Sequence, residues 1–342
     1  MSLSIMESRD YRAVCLEGGD QVGKADATNN LFSGLEKLNI NLTPSSFPIY
    51  STPIGASIRL LLKQGCPEEI LPLENSLEAR MALFALNRLE FMAVLLTEPK
   101  YSESFLLFDR SPFSNALTIS YGLTSLDSCN ENDLMKYINM SLDLDSLMIS
   151  KLGLGRCVVQ LQSKRKSWEN VRMEQGDQYE REEVQEKCDM VYDMYKGVVG
   201  PGWHQVVTKN EFGWREKGEI YEDILEIIRD TYGEMDNIKN GINQPLGFSE
   251  ITGTLYPEAT LDNAKLEVYQ AALKDNNKNE MYESAVILGK QVATSCAKVE
   301  ISDKEVRSEF RRILINVPET VNILRYFLGD IFVEKLLKGL EI

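Results

Sequence analysis

After its first residue the stretch 12–16 is apolar, it breaks at a glycine pair, and from Lys24 to Leu38 apolar positions recur at helical spacing. A short apolar run feeding directly into an amphipathic stretch is how a buried parallel strand enters a helix. The same texture returns at 105–108 (FLLF), 157–161 (CVVQL) and 205–208, each predicted to be a strand, while 73–97, 177–195 and 217–231 carry helical patterns between or after them. Strand and helix in alternation predict an α/β chain, a three-layer α/β/α arrangement around a parallel sheet.

Beyond Tyr232 the pattern changes. Residues 236–258 are rich in Gly, Asn and Pro, and from there helix follows helix up to Leu340, with clear apolar stripes at 279–299 and 321–340. The expected organisation is a nucleotide-binding domain at 1–233, a linker at 234–258 and a mostly helical domain at 259–342 of unassigned role. Its stripes suit packing on the first domain or on a second subunit, as in a homodimer.

Composition narrows the function. With 342 residues and 43% hydrophobic content the chain can bury one large core or two ordinary ones. No run of eighteen apolar residues occurs, and 1–9 lack the basic and apolar regions of a secretory leader, so a cytoplasmic protein without a membrane partner is expected. The six cysteines form no CxxC pair and His204 is the single histidine, so neither a disulfide framework nor a zinc site has its ligands. A formal charge of −15 repels a phosphate backbone, and nucleic acid is not an expected partner.

The strongest chemical signal sits at the first strand-to-helix turn, where Gly18-Gly19-Asp20-Gln21-Val22-Gly23-Lys24 fits the G-x-x-x-x-G-K core of a P-loop. Glycines let successive N–H groups turn toward phosphate oxygens, the helix N-terminus adds a favourable dipole, and the lysine reaches the β and γ phosphates. ATP binding through Gly18 to Asp26 is expected. Ala25 stands where a hydroxyl would meet Mg²⁺, so the ion would be held through water by Asp20, Asp26 or Asp109. Asp109-Arg110 closes the FLLF run, and charged residues at the C-terminal end of a buried parallel strand face the crevice where ligands bind.

Together these motifs bear a resemblance to the thymidylate kinase family. Leu16-Glu17-Gly18-Gly19-Asp20 leading into Gly23-Lys24 resembles its P-loop, and Phe47-Pro48-Ile49-Tyr50-Ser51-Thr52-Pro53-Ile54-Gly55 its Phe-Pro-x-Arg-x-Thr-x-Ile-Gly segment. Leu83-Phe84-Ala85-Leu86-Asn87-Arg88 is similar to its base-binding helix and Asp109-Arg110 to its Asp-Arg-Tyr motif, in the same order, over about residues 12–232. The resemblance implies phosphoryl transfer from ATP, with Mg²⁺, to dTMP. It assigns Lys24 to the phosphates of ATP, Asp20 to the acceptor sugar and its catalytic surroundings, and Phe84 to stacking on the base. Arg88 would contact the base or monophosphate and Arg110 the acceptor phosphate, with Phe47, Tyr50, Ser111, Ser114 and Tyr179 completing the acceptor pocket.

Four positions depart from that pattern: Tyr50 replaces an arginine, Ser111 a tyrosine, Ala25 a hydroxyl residue, and Gln21 the arginine of some members. The basic stretch Lys164-Arg165-Lys166 with Arg172 follows the CVVQL run where the family has a mobile lid, so Arg165 and Arg172 are expected to supply catalytic charge. The departures keep two alternatives open: a kinase for another deoxynucleotide or a deoxynucleoside, and a nucleotide-binding regulatory protein with impaired catalysis.

Overall fold

The structure is a computed structural model that describes residues 11–102, 104–127, 129–163, 178–233, 246–275 and 277–342. In its first strand, β1 (Arg12–Glu17), alternate side chains face opposite sides, so Val14 and Leu16 enter one hydrophobic cluster and Ala13 and Cys15 another. Helices supply both clusters. α1 (Lys24–Lys37) follows β1, and β2 (Leu42–Ser46) leads into α2 (Pro53–Gln64) and α3 (Leu73–Thr97). β3 (Phe105–Asp109) precedes α4 (Asn115–Ser125), α5 (Leu134–Leu144) and α6 (Ser146–Leu152). β4 (Val158–Ser163), α7 (Glu182–Val199), β5 (Trp203–Asn210), β6 (Gly213–Trp214) and α8 (Lys217–Tyr232) follow. The sheet order is β2-β3-β1-β4-β5-β6, parallel except for the β5–β6 pair. Leu31 of α1 and Ile224 of α8 pack on one face, while α2, α3, α4 and α7 cover the other. This is the expected α/β/α sandwich.

Two strands escaped the sequence pattern, the two-residue β6 and β2. β2 reads LTPSS, mostly polar and carrying Pro44, and it lies at the edge of the sheet, where a missing N–H is tolerated.

The C-terminal third is helical: α9 (Phe248–Leu255), α10 (Asn263–Lys274), α11 (Lys278–Ser295), α12 (Lys304–Asn316), α13 (Pro318–Leu328) and α14 (Asp330–Gly339). The pattern at 321–340 is thus divided between two helices, parted at Gly329, whose φ of 88° suits glycine. The region expected as a linker contains α9, and the apolar side chains of these helices join the existing core. Ile251, Leu288, Phe310 and Phe332 belong to the same cluster as Leu83, Phe91 and Phe108. At its centre lies α3, apolar on every side and therefore surrounded, with α2, α4, α9, α12 and α13 packed on it. Among the described residues no helix is long and apolar enough to cross a membrane.

A charged group sits inside this packing. Glu90 of α3 is fully buried and accepts from Thr52 Oγ1 (2.6 Å) and Asn87 Nδ2 (2.8 Å) on one oxygen and from the Tyr256 hydroxyl on the other. Burial outweighs these donors and pushes its carboxyl from 4.5 up to about 7. The folded state then keeps a proton that the unfolded chain has released, so this stabilisation is full below 4.5 and is lost as pH rises through about 7. Thermal unfolding should show a melting temperature that falls by on the order of a few degrees between about pH 5 and pH 8, and Glu90→Gln should flatten that slope. An unchanged slope in the variant would place the titrating group elsewhere.

Candidate functional site

β1 ends at Glu17 and the chain curls at once. Gly18 has a φ of 137°, and a Cβ there would lie 2.5 Å from the Leu161 carbonyl oxygen, so the turn accepts no other residue without moving β4. Gly23, at φ 90°, then starts α1. Lys24 is 8% exposed and donates to the carbonyls of Gly18 (2.9 Å) and Gly19. Burial, then the nearby charge of Arg110, lowers its ammonium to about 8, against the opposing pull of Asp20, Asp109 and Glu17.

Across the loop, Asp20 and Arg110 form an ion pair. Gln185 of α7 holds the aspartate from behind: its Nε2 donates to Asp20 Oδ2 (2.8 Å) and its Oε1 accepts from the Asp20 N–H (2.8 Å). Burial raises the Asp20 carboxyl, but Arg110, Lys24 and these hydrogen bonds outweigh it, and the group lies below its ordinary value. Arg110 itself has a φ of 70°, strained for a residue with a side chain, and its buried Nη1 has no hydrogen-bond partner among the described residues.

Beneath them Glu17, fully buried, accepts from Ser111 Oγ (2.6 Å), Ser114 Oγ (2.6 Å) and the Tyr192 hydroxyl (2.9 Å). Burial raises its carboxyl despite the three donors. Ser111 and Ser114 are therefore tied to the floor of the site.

A cavity of about 1370 Å³ opens above this floor. Ordinary small-molecule sites occupy roughly 300–1,000 Å³, so two ligands have room. Lys24, Asp109, Arg110, Phe84, Tyr179 and Tyr50 all line it, which brings most of the expected P-loop and acceptor residues to one place. Phe84 is half-buried, 6.3 Å between ring centroids from Tyr179. Phe47 lines the cavity too and packs on Phe91 and Phe108. Arg88 is also in the lining, and its guanidinium, 2% exposed, is paired with Asp145 through Nε (2.7 Å) and Nη2 (2.6 Å). Arg165 and Arg172 lie outside the described residues.

For Mg²⁺ the fit rests on Asp109. Its Oδ2 accepts from Ser46 (3.3 Å), while the buried Oδ1 has no hydrogen-bond partner among the described residues. The ion commonly takes one or two carboxylates together with phosphate oxygens and water, and Asp109 suits that role. Asp26 is drawn to Lys217 (3.1 Å), and the Thr28 hydroxyl donates to the Lys24 carbonyl (2.9 Å). Among the described residues no cluster of three or more His, Cys, Asp or Glu could hold a metal by itself.

Sequence reasoning missed Gln185, Tyr192, Trp214 and Tyr282. The first two stand on the inward stripe of α7 beside Val184, Cys188 and Val191, and a glutamine on an apolar face is the available signal. Trp214, of which CZ3 lies 3.4 Å from the position of a Cβ on Gly23, and Tyr282 of α11 line the cavity from opposite regions of the chain.

No family model and no curated protein matches the chain. Among solved structures it is similar to a thymidylate kinase from Candida albicans, with 18% identity, coverage of 69% of this chain and 96% of that one, and a TM-score of 0.44.

Replacing Glu17 by Ala would take the carboxylate acceptor from the buried Ser111 hydroxyl, the half-buried Ser114 hydroxyl and the Tyr192 hydroxyl, which keeps only the Gly18 carbonyl (3.3 Å). The variant should lose on the order of 3 kcal/mol in urea unfolding. A loss below about 0.5 kcal/mol, the range of an ordinary surface substitution, would show that the floor does not depend on this carboxylate.

Proposed function

We propose that the chain transfers the γ-phosphoryl group of ATP to a nucleoside monophosphate, dTMP being the expected acceptor. Arg110 carries this reading: its Nη2 holds Asp20, and its Nη1 is buried without a hydrogen-bond partner among the described residues, on a side chain that lines the cavity with Lys24. A buried guanidinium nitrogen is satisfied by an anionic oxygen, and a phosphate presents several.

ATP phosphates would take the P-loop N–H groups and draw the Lys24 ammonium from the Gly18 and Gly19 carbonyls. Trp214, beside Gly23 and next to β5, offers a ring face to the adenine. The acceptor would lie toward β3 and β2, its base against Phe84 and Tyr179 and its phosphate on Arg110. The similarity of 83–88 to the thymidylate kinase base-binding helix supports a pyrimidine there. An acceptor phosphate oxygen attacks the γ-phosphorus in line, the bond to the bridging oxygen of ATP breaks, and ADP leaves. Lys24 and Arg110 meet the charge that spreads over the transferring group, and in this reading Arg165 and Arg172 add to it. Mg²⁺ held by Asp109 and phosphate oxygens would supply further charge neutralisation. A cytoplasmic setting, where both nucleotides occur, suits the reaction.

Ala25 favours a second reading, in which the chain binds nucleotide without turnover. ADP release, measured with each nucleoside monophosphate and Mg²⁺, separates the two. The kinase reading expects release that depends on a monophosphate and is fastest with dTMP; ATP binding without release would leave only the second, and release with nucleosides alone would change the acceptor class.

Lys24→Ala should lower kcat by roughly 10²-fold or more at unchanged melting temperature. Because the ammonium titrates at about 8 in the free protein, kcat/KM for ATP should decline above that pH as Lys24 loses its charge. Full activity in the alanine variant would refute the P-loop assignment. Replacing Arg165 and Arg172 together by Ala should reduce kcat by about 10²-fold with little change in acceptor affinity. Single-turnover kinetics reads that separation, and an unaltered transfer rate would remove both arginines from the mechanism.

A further inference from the structure

One side chain of α7 answers to two parts of the site at once. Gln185 is 2% exposed and lies outside the lining of the cavity. Its amide reaches in three directions: Oε1 accepts from the Asp20 N–H (2.8 Å), and Nε2 donates to Asp20 Oδ2 (2.8 Å) and to the Tyr179 carbonyl (3.0 Å). A primary amide has one acceptor oxygen and two N–H donors, and here the oxygen and both donors are used. The same bonds settle its orientation, because a flipped amide would set its nitrogen against the Asp20 N–H and its oxygen against a carboxylate and a carbonyl. Gly19 makes room for it, since a Cβ there would lie 2.9 Å from Oε1.

The two residues that Gln185 joins serve different parts of the cavity. Asp20 belongs to the phosphate loop, and its other carboxylate oxygen, Oδ1, pairs with Arg110 Nη2. Tyr179 belongs to the aromatic wall: its ring centroid lies 6.3 Å from that of Phe84 on α3 and 5.2 Å from that of Tyr121 on α4. The residue before it is anchored as well, the Gln178 N–H on the Leu62 carbonyl (3.0 Å) and Arg80 Nη2 on Gln178 Oε1 (2.8 Å). Tyr179, Gln185, Asp20 and Arg110 thus form one hydrogen-bonded line from the aromatic wall to a guanidinium that lines the cavity with Lys24. Moving one end of the line without the other strands a buried donor or acceptor, which is costlier than losing a bond to water.

We propose that Gln185 is a positioning residue that couples the acceptor to ATP: an acceptor held by Tyr179 and Arg110 fixes the line at both ends, and Gln185 passes that constraint to Asp20 and the loop that receives the ATP phosphates. This rests on the kinase reading for where the two nucleotides lie. Gln185 touches neither of them and acts through the Asp20 N–H, the Asp20 carboxylate and the Tyr179 carbonyl. An acceptor already in place leaves less of the loop to be ordered when ATP arrives, so each nucleotide tightens the other, by the same factor in both directions.

Calorimetry on the full chain reads the coupling, with dTMP and a non-hydrolysable ATP analogue each titrated alone and in the presence of the other and Mg²⁺. In the wild-type chain one nucleotide should tighten the other by about tenfold. Gln185→Met keeps the length of the side chain and removes its hydrogen bonds; the factor should fall below about twofold, with each single affinity within about threefold of wild type. Hydrogen exchange gives a second reading that needs no variant: dTMP alone should slow exchange in the loop at 18–24 of the wild-type chain. If the coupling survives in Gln185→Met, or if the wild-type chain binds dTMP without coupling or does not bind it, the proposal fails. It fails equally if dTMP leaves exchange in the loop unchanged, or if Gln185→Met loses both single affinities together with its melting temperature, since Gln185 would then only support the fold. Coupled binding that disappears in Gln185→Met, in a chain that releases no ADP, would overturn the kinase reading and leave this one standing.

Discussion

A carboxylate shut away from water has to be met by donors, and the donors that meet Glu17 decide where the site is. Ser111, Ser114 and Tyr192 reach it across 94, 97 and 175 residues of chain. The end of β1, the turn after β3 and the inner stripe of α7 are thereby fixed at one point. Arg110 lies inside this clamp, its N–H on the Leu16 carbonyl at 3.1 Å and the next residue tied to Glu17. A left-handed backbone at a residue with a side chain costs on the order of 1 kcal/mol or more and persists only where its surroundings impose it. Here they do, and the result is a guanidinium aimed at Asp20 beside the phosphate loop.

Glu90 repeats the device near Tyr50. Its side-chain donors come from the segment after β2, from α3 and from Tyr256 just after α9, so the loop that carries Tyr50 is coupled to the C-terminal helices through a single carboxyl. Asn87 extends the tie, accepting from the Ile49 N–H at 2.8 Å and donating to Thr52 Oγ1 at 3.0 Å. The two buried acids divide the labour: Glu17 holds the end of the cavity where Ser111, Ser114 and Arg110 lie, and Glu90 the end near Tyr50 and α2.

What the sequence reveals depends on how local the cause is. The P-loop is readable because its backbone demands fall on Gly18, Gly23 and Lys24 within one turn, and α3 because apolar residues fill it from Leu73 to Thr97. β2 is hidden because an edge strand can carry Ser, Thr and Pro without penalty. Arg88 looks like a ligand in its motif, yet its partner Asp145 lies 57 residues away and no local pattern announces the pair. The same holds for the C-terminal third. A change of texture near residue 233 is visible, while the packing of Gly289 on Thr52 and Ala56, which joins the later helices to the earlier core, is a tertiary fact.

Charge organises the remainder. In a chain with a formal charge of −15 the cavity still collects cations, and it keeps several of them against carboxylates. Arg88 is bidentate to Asp145 and 2% exposed. Arg110 is committed at Nη2, its Nη1 has no hydrogen-bond partner among the described residues, and Lys24 rests on carbonyls, which are weaker partners than a phosphate oxygen. The gain on ligand binding is therefore greatest where the existing partnership is incomplete. Burial lowers the Lys24 ammonium while the Arg110 guanidinium keeps its charge, so these two neighbours respond unequally to pH.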